Sequence, residues 1–212
     1  VKRIIYVAGI NRKHLAAHMD KIPYWLLSAT LLRKYPAWID LYMRNRSVIW
    51  DPGTFSEDCI SYQGYRSYID RNVKSKQLYM QYDEIGNPEV TEWYLKDMRK
   101  RGYNPIPILQ PNGNESMLKT ERLVCIGGLV PMQPTQRVNY LDRILTNEVK
   151  AKVHLLGMIK HQWFSPYLNA VQGDNTTWVR GAAYKNNPDI IKNYGEQWVP
   201  HKVNKILQLA LF

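Results

Sequence analysis

Three aspartates, a glutamine and several glycines stand where a chain of repeated β/α units places its chemistry. Asp51, Asp83, Gln110, Gly127-Gly128, Gly157 and Asp174 each follow the C-terminal end of a predicted strand. Parallel strands covered by helices direct those ends to one face, and β/α proteins carry their reactive groups there. Carboxylates gathered at such a mouth act as general acid, general base or nucleophile. A lone aspartate after a strand is more often a helix cap or a turn residue. Six placements in succession make that explanation weak for the set.

The elements that must position these residues follow from the hydrophobic pattern. Strands are predicted at 3–10, 47–50, 77–82, 105–109, 123–126, 152–156 and from Val171 to Asp174. Between them lie helical stretches at 14–45, broken near Pro23 and Pro36, and at 62–72, 89–101, 115–121, 135–149 and 161–170. Pro88 suits a first helical turn and Gly102 a stop. A helical tail runs from Pro188 to Phe212. Strand followed by helix, seven times over, predicts an α/β fold with parallel strands. It is read as a (β/α)8 TIM-like barrel, reduced or irregular because only seven strands are placed, with C-terminal helices. The stretch Gly9-Ile10-Asn11-Arg12 is no dinucleotide fingerprint, which argues against a Rossmann sheet. No repeat, low-complexity run or linker divides residues 1–212, so one domain is expected.

Composition narrows the partners. The 212 residues carry 29 Lys and Arg against 18 Asp and Glu, a formal charge of +11. A surplus of that size favours a polyanion, most commonly nucleic acid. The basic residues are scattered rather than striped along one helix, and no apolar run approaches the roughly 20 residues of a membrane span. Cys59 and Cys125 are remote from each other and sit in apolar or strand-like surroundings. Two such thiols make no disulfide framework; both are expected buried and reduced, in a cytoplasmic protein.

The same strand-end residues carry a family resemblance. Asp51-Pro52-Gly53-Thr54-Phe55-Ser56 resembles the Asp-Ser-Gly-Gly-Phe-Gln motif of tRNA-guanine transglycosylases. Met80-Gln81-Tyr82-Asp83-Glu84 is similar to their Met-Ala-Phe-Asp-Glu, and Ile108-Leu109-Gln110 to their Ile-Ile-Gln. Ile126-Gly127-Gly128-Leu129 resembles their Gly-Gly-Leu loop, and His154-Leu155-Leu156-Gly157 their Tyr-Leu-Met-Gly. Gly173-Asp174 falls where the family has its nucleophile. The order is kept from about Ser47 to Arg180. The small size and the run Asp174-Asn175-Thr176-Thr177-Trp178 are more similar to the phage and bacterial branch that places 7-deazaguanine bases in DNA.

The resemblance implies exchange of guanine for a free 7-deazaguanine base, such as 7-cyano-7-deazaguanine, without cutting the strand. Asp174 would hold the sugar covalently, as in retaining glycoside chemistry. Asp51 would protonate the departing guanine and deprotonate the incoming base. Asp83 and Gln110 would read the base, with the backbone of Gly127, Gly128 and Leu129 lining the pocket near the 7-substituent. Phe55 and Met158 would pack on the base faces, unless they serve ordinary core packing. No cofactor is implied. The family's Cys-rich zinc element is absent, so no structural zinc is expected. Pro52 replaces a serine that contacts the base, and Gln133 stands where many relatives have a glutamate. That second change favours a neutral nitrile over a cationic aminomethyl group.

The target base must leave its stack to react. Lys160, Arg180 and Lys185 lie nearest the predicted strand ends and would track phosphates. Three alternatives stand beside exchange on DNA: exchange on tRNA, hydrolysis without reinsertion, and a silent nucleic-acid-binding module of the same fold. Retention of both Asp51 and Asp174 disfavours the last.

Overall fold

A computed structural model describes residues 4–8, 24–35, 47–74, 77–146, 148–158 and 166–175. The strands are β1 (Ile4–Ala8), β2 (Tyr24–Ser28), β3 (Ser47–Asp51), β4 (Leu78–Tyr79), β5 (Ile108–Leu109), β6 (Leu123–Ile126), β7 (Lys152–Leu155) and β8 (Ala170–Asn175). Helices α1 (Ala29–Leu32), α2 (Tyr62–Asn72), α3 (Pro88–Lys100), α4 (Met117–Thr120) and α5 (Pro134–Ile144) lie between them. Every strand pairing is parallel, in the order β4-β3-β2-β1-β8-β7-β6-β5. A parallel bridge between Met80 and Ile106 joins the segments beside the two end strands. The Gln81 side chain extends that junction: its Oε1 accepts the Ile108 amide at 2.8 Å, and its Nε2 donates to the Thr91 carbonyl at 2.7 Å.

Three apolar clusters account for the layers. Trp25, Leu27, Val48 and Trp50 pack against Tyr65, Tyr68 and Ile69 of α2. Val124, Ile126, Val153 and Leu155 pack against Leu141 and Ile144 of α5. The intervening residues point the other way: Tyr6, Ala8, Leu26, Ile49, Met80, Ile106, Ile108 and Cys125 form one cluster among the strands themselves. Each large apolar side chain enclosed in this way contributes about 1.5–3 kcal/mol relative to exposure.

Local signals explain the helix boundaries. Ser61 caps α2 through its hydroxyl, which accepts the Gly64 amide at 3.1 Å. Asn87 caps α3 in the same way, Pro88 opens it, and Arg99 and Lys100 sit in its last turn, where they complement the helix dipole. Gly102 follows with a φ of 87°.

Strand β2 corrects the helical region expected over 14–45 with breaks near Pro23 and Pro36: Tyr24–Ser28 is a strand, Ala29–Leu32 is helical, and 14–23 and 36–45 lie outside the described residues. Tyr24-Trp25-Leu26-Leu27 is a continuous apolar run because Trp25 and Leu27 face one cluster while Leu26 faces another. A strand buried on both faces shows no alternation, so periodicity cannot separate it from a buried helix. Helix α5 ends at Ile144 rather than 149, since the chain turns there to enter β7. The Lys150 and Ala151 amides both donate to the Leu118 carbonyl, which fixes that turn. Residues 166–169 are not helical, and Ala170 already belongs to β8. Cys125 is buried as expected, whereas Cys59 is partly exposed beside the Tyr82 hydroxyl. The predicted helical tail at 188–212 lies outside the described residues.

Candidate active site

The site is built on the turn that follows β3. Asp51 ends that strand opposite Ser28 of β2. Thr30, in helix α1 directly after β2, holds the turn: its hydroxyl donates to the Pro52 carbonyl at 2.7 Å and accepts the Ile60 amide at 2.9 Å. Gly53 adopts a φ of 77°, and a Cβ there would stand 2.2 Å from Ser28 Oγ and 2.9 Å from Thr30 Cβ. Only glycine accepts both the backbone angle and the close approach. The Gly53 amide in turn hydrogen-bonds the Asp51 carboxyl.

Thr54, one residue further on, links this turn to the next strand end. Its hydroxyl donates to Asp83 Oδ1 at 2.6 Å. Asp83 Oδ2 accepts Gln110 Nε2 at 3.3 Å. The Gln110 amide also reaches the Glu84 carbonyl at 3.0 Å and Thr91 Oγ1 at 3.2 Å, and its Oε1 accepts the Gly86 amide at 2.9 Å. Gln110 thus ties the 83–86 segment to β5 and holds Asp83 in place. Gly128, with φ 72°, lies against this carboxamide: a Cβ there would be 3.5 Å from Gln110 Oε1.

Asp174 comes from β8 and is 4% exposed. Its Oδ1 accepts the Gly157 amide at 3.0 Å and faces His154 Nε2 at 3.1 Å. Gly157 follows β7 with a φ of 68°, a left-handed angle that glycine adopts without strain.

Electrostatics bind the three acids into one site. Burial, then the charges of Asp83 and Asp174, push the Asp51 carboxyl up to about 8, against the opposing Gly53 hydrogen bond. Burial also raises Asp83, although the Thr54 and Gln110 hydrogen bonds oppose the shift. Burial, and after it these charges, therefore favour the protonated form of Asp51 next to other carboxyls. A proton donor beside an acidic group is the pairing that acid-assisted displacement requires.

The structure thus brings Asp51, Asp83, Gln110, Gly128, Gly157 and Asp174 to the C-terminal strand ends. Gly127 lies beneath, between Leu156 and Ile108. Phe55 is 63% exposed on the Asp51 turn and is not a core residue. The Leu129 and Met158 side chains are buried in the cluster that includes α5, which is the core-packing role. Lys160, Arg180 and Lys185 lie outside the described residues. Sequence reading missed Thr30 and Thr54, which position the acids, and His154, which it took only as part of a motif. A histidine two residues before a strand-end Leu156-Gly157 pair was the available signal. A cavity of about 450 Å³, lined by Ile69, Asp70, Gln77, Tyr79 and Tyr103 among others, lies at the N-terminal ends of β4 and β5, away from these acids.

Among the described residues, no three or more His, Cys, Asp or Glu side chains are grouped to hold a metal ion, and no helix is long and apolar enough to cross a membrane. Comparison with protein-family models and with curated proteins found no match to this chain.

Proposed function

We propose that the chain is a closed (β/α)8 barrel that exchanges guanine in DNA for a free 7-deazaguanine base. Closure is supported by the Met80–Ile106 bridge and by the single cluster to which residues from most strands contribute. One observation carries the chemistry: Asp51, Asp83 and Asp174, remote from one another in sequence, stand at the C-terminal ends of parallel strands, near enough for the charges of the last two to raise the Asp51 carboxyl.

In the proposed cycle, an Asp174 oxygen attacks the sugar C1′ as the glycosidic C–N bond breaks. The electron pair goes to the guanine, and Asp51 supplies the proton. The incoming base then gives its N–H proton to Asp51 as its nitrogen attacks C1′, which expels Asp174 as carboxylate. Two displacements at one carbon retain configuration, and both partial reactions balance without a redox or metal partner. Asp83, aligned by Thr54 and Gln110, accepts the N1–H and 2-amino donors that guanine and 7-deazaguanines share. Gln110 has its amide engaged inside the chain, so its part is to hold Asp83. Phe55, exposed on the turn after Asp51, is free to stack on a base. The charge of +11 suits a polyanionic substrate.

The test is uptake of labelled guanine into polymer, with DNA and tRNA in parallel, for the native protein and Asp174→Ala. Label in DNA, lost in the variant, supports the proposal. Label in tRNA alone moves the substrate to tRNA, and release without uptake makes the protein a hydrolase. No uptake, no release and no protein–sugar adduct would leave a binding module.

A further inference from the structure

We infer that His154 is a positioning residue that anchors one oxygen of Asp174 and leaves the other to act as nucleophile. This rests on the base-exchange proposal. The hydrogen bonds to Asp174 from described residues, from His154 Nε2 at 3.1 Å and from the Gly157 amide at 3.0 Å, converge on Oδ1. None from a described residue reaches Oδ2. A carboxylate is an acceptor only, so the imidazole nitrogen facing it carries the hydrogen. The Nε2–H therefore points at Asp174 Oδ1 in the attacking state.

The ring has little freedom to do otherwise. His154 is fully buried in β7, in register with Cys125 of β6 and Gln172 of β8. The Tyr6 ring packs on it at 5.6 Å between centroids. Its Nδ1 lies 3.5 Å from Gln172 Oε1. Such a ring acts as a rigid post. A carboxylate held at one oxygen cannot rotate, so Oδ2 keeps a fixed line of approach to C1′. Near-attack geometry of this kind is sensitive to displacements of about 1 Å, which cost on the order of 100-fold in rate.

The experiment compares His154→Gln and His154→Phe with the native protein in single-turnover formation of the protein–sugar adduct and in steady-state exchange. Gln keeps an amide N–H near the Nε2 position, whereas Phe fills the space with no donor. The expected result is a roughly 100-fold lower kcat and adduct rate for His154→Phe, with KM for the free base unchanged within about threefold, and recovery of most of the rate in His154→Gln. A purely structural histidine would lower the unfolding temperature but not kcat of the folded fraction. Nitrogen-15 NMR of the histidine rings adds a reading that needs no turnover: Nε2 of His154 is protonated, and its resonance moves in Asp174→Ala. Native exchange rates in folded His154→Phe, or an unprotonated Nε2, would overturn the assignment while leaving base exchange intact. Absence of exchange by the native protein would overturn both.

Discussion

The Thr30 hydroxyl donates to the Pro52 carbonyl at 2.7 Å and so fastens the Asp51 turn to helix α1. The same oxygen accepts the Ile60 amide, so one buried side chain closes both ends of the 52–60 loop. Thr30→Val keeps the shape and removes the hydroxyl. It leaves a buried carbonyl and a buried amide without a partner, at about 1–3 kcal/mol each at most. Urea unfolding should show a lower midpoint with an unchanged slope, and exchange should slow because Asp51 is no longer held. An unchanged midpoint would contradict this role.

Gly53→Ala tests the close approach on the other side of the turn. The added Cβ meets Ser28 Oγ and Thr30 Cβ at sub-contact distance, and the residue keeps a φ of 77°. Strain of this kind costs on the order of 1–3 kcal/mol. The variant should lose stability and base exchange together. Ser28→Ala in the same chain should restore part of both by removing the nearest atom.

Asp51 makes stability depend on pH in a stated direction. Its folded value, about 8, lies above its ordinary 3.8, so the native state holds a proton that the unfolded chain releases between those limits. Its stabilising contribution is complete below about pH 4, and it is lost progressively as pH rises toward 8. Asp51→Asn removes this dependence. Chemical denaturation should find the variant indistinguishable from the native protein near pH 4 and more stable, on the order of a few kcal/mol, at about pH 8. A variant that is less stable at alkaline pH would refute the assignment.

Asp83 contributes to that raised value through its charge, second to burial. In the proposed cycle guanine departure requires the protonated form of Asp51, so activity should fall as pH rises through its value. Replacing Asp83 by Asn removes a negative neighbour and lowers the Asp51 value. The alkaline limb of the pH–rate profile should move toward acid, and KM for the base should rise. A limb that stays in place would separate the two residues electrostatically.

Gln133 caps the start of α5, with its amide donating to Gln136 Oε1 at 3.0 Å. Under the proposed function its neutral side chain suits a neutral 7-substituent better than a cationic one. The 7-cyano base should therefore exchange faster than the 7-aminomethyl base in competition. Gln133→Glu should narrow or reverse the ratio. Strong preference of the native protein for the amine would end this reading.

Helices α2 and α3 were legible in the sequence because caps, a first-turn proline and a terminal glycine are local signals. Strands β3, β6 and β7 were legible because short apolar runs ended at turn residues. The acids themselves were visible for the same reason: Asp51, Asp83 and Asp174 stand at strand ends, and their spacing along the chain is that of the β/α unit. Strand β2 was hidden, since burial on both faces removes the alternation that marks a strand. The sequence by itself determined which residue types reach the strand ends and in what order. Only the tertiary structure decided that the Asp51 carboxyl is enclosed near Asp83 and Asp174, which raises it, and that His154 and Gly157 meet on one oxygen of Asp174. Those facts depend on distances between strands far apart in the chain, and on burial, which no local pattern encodes.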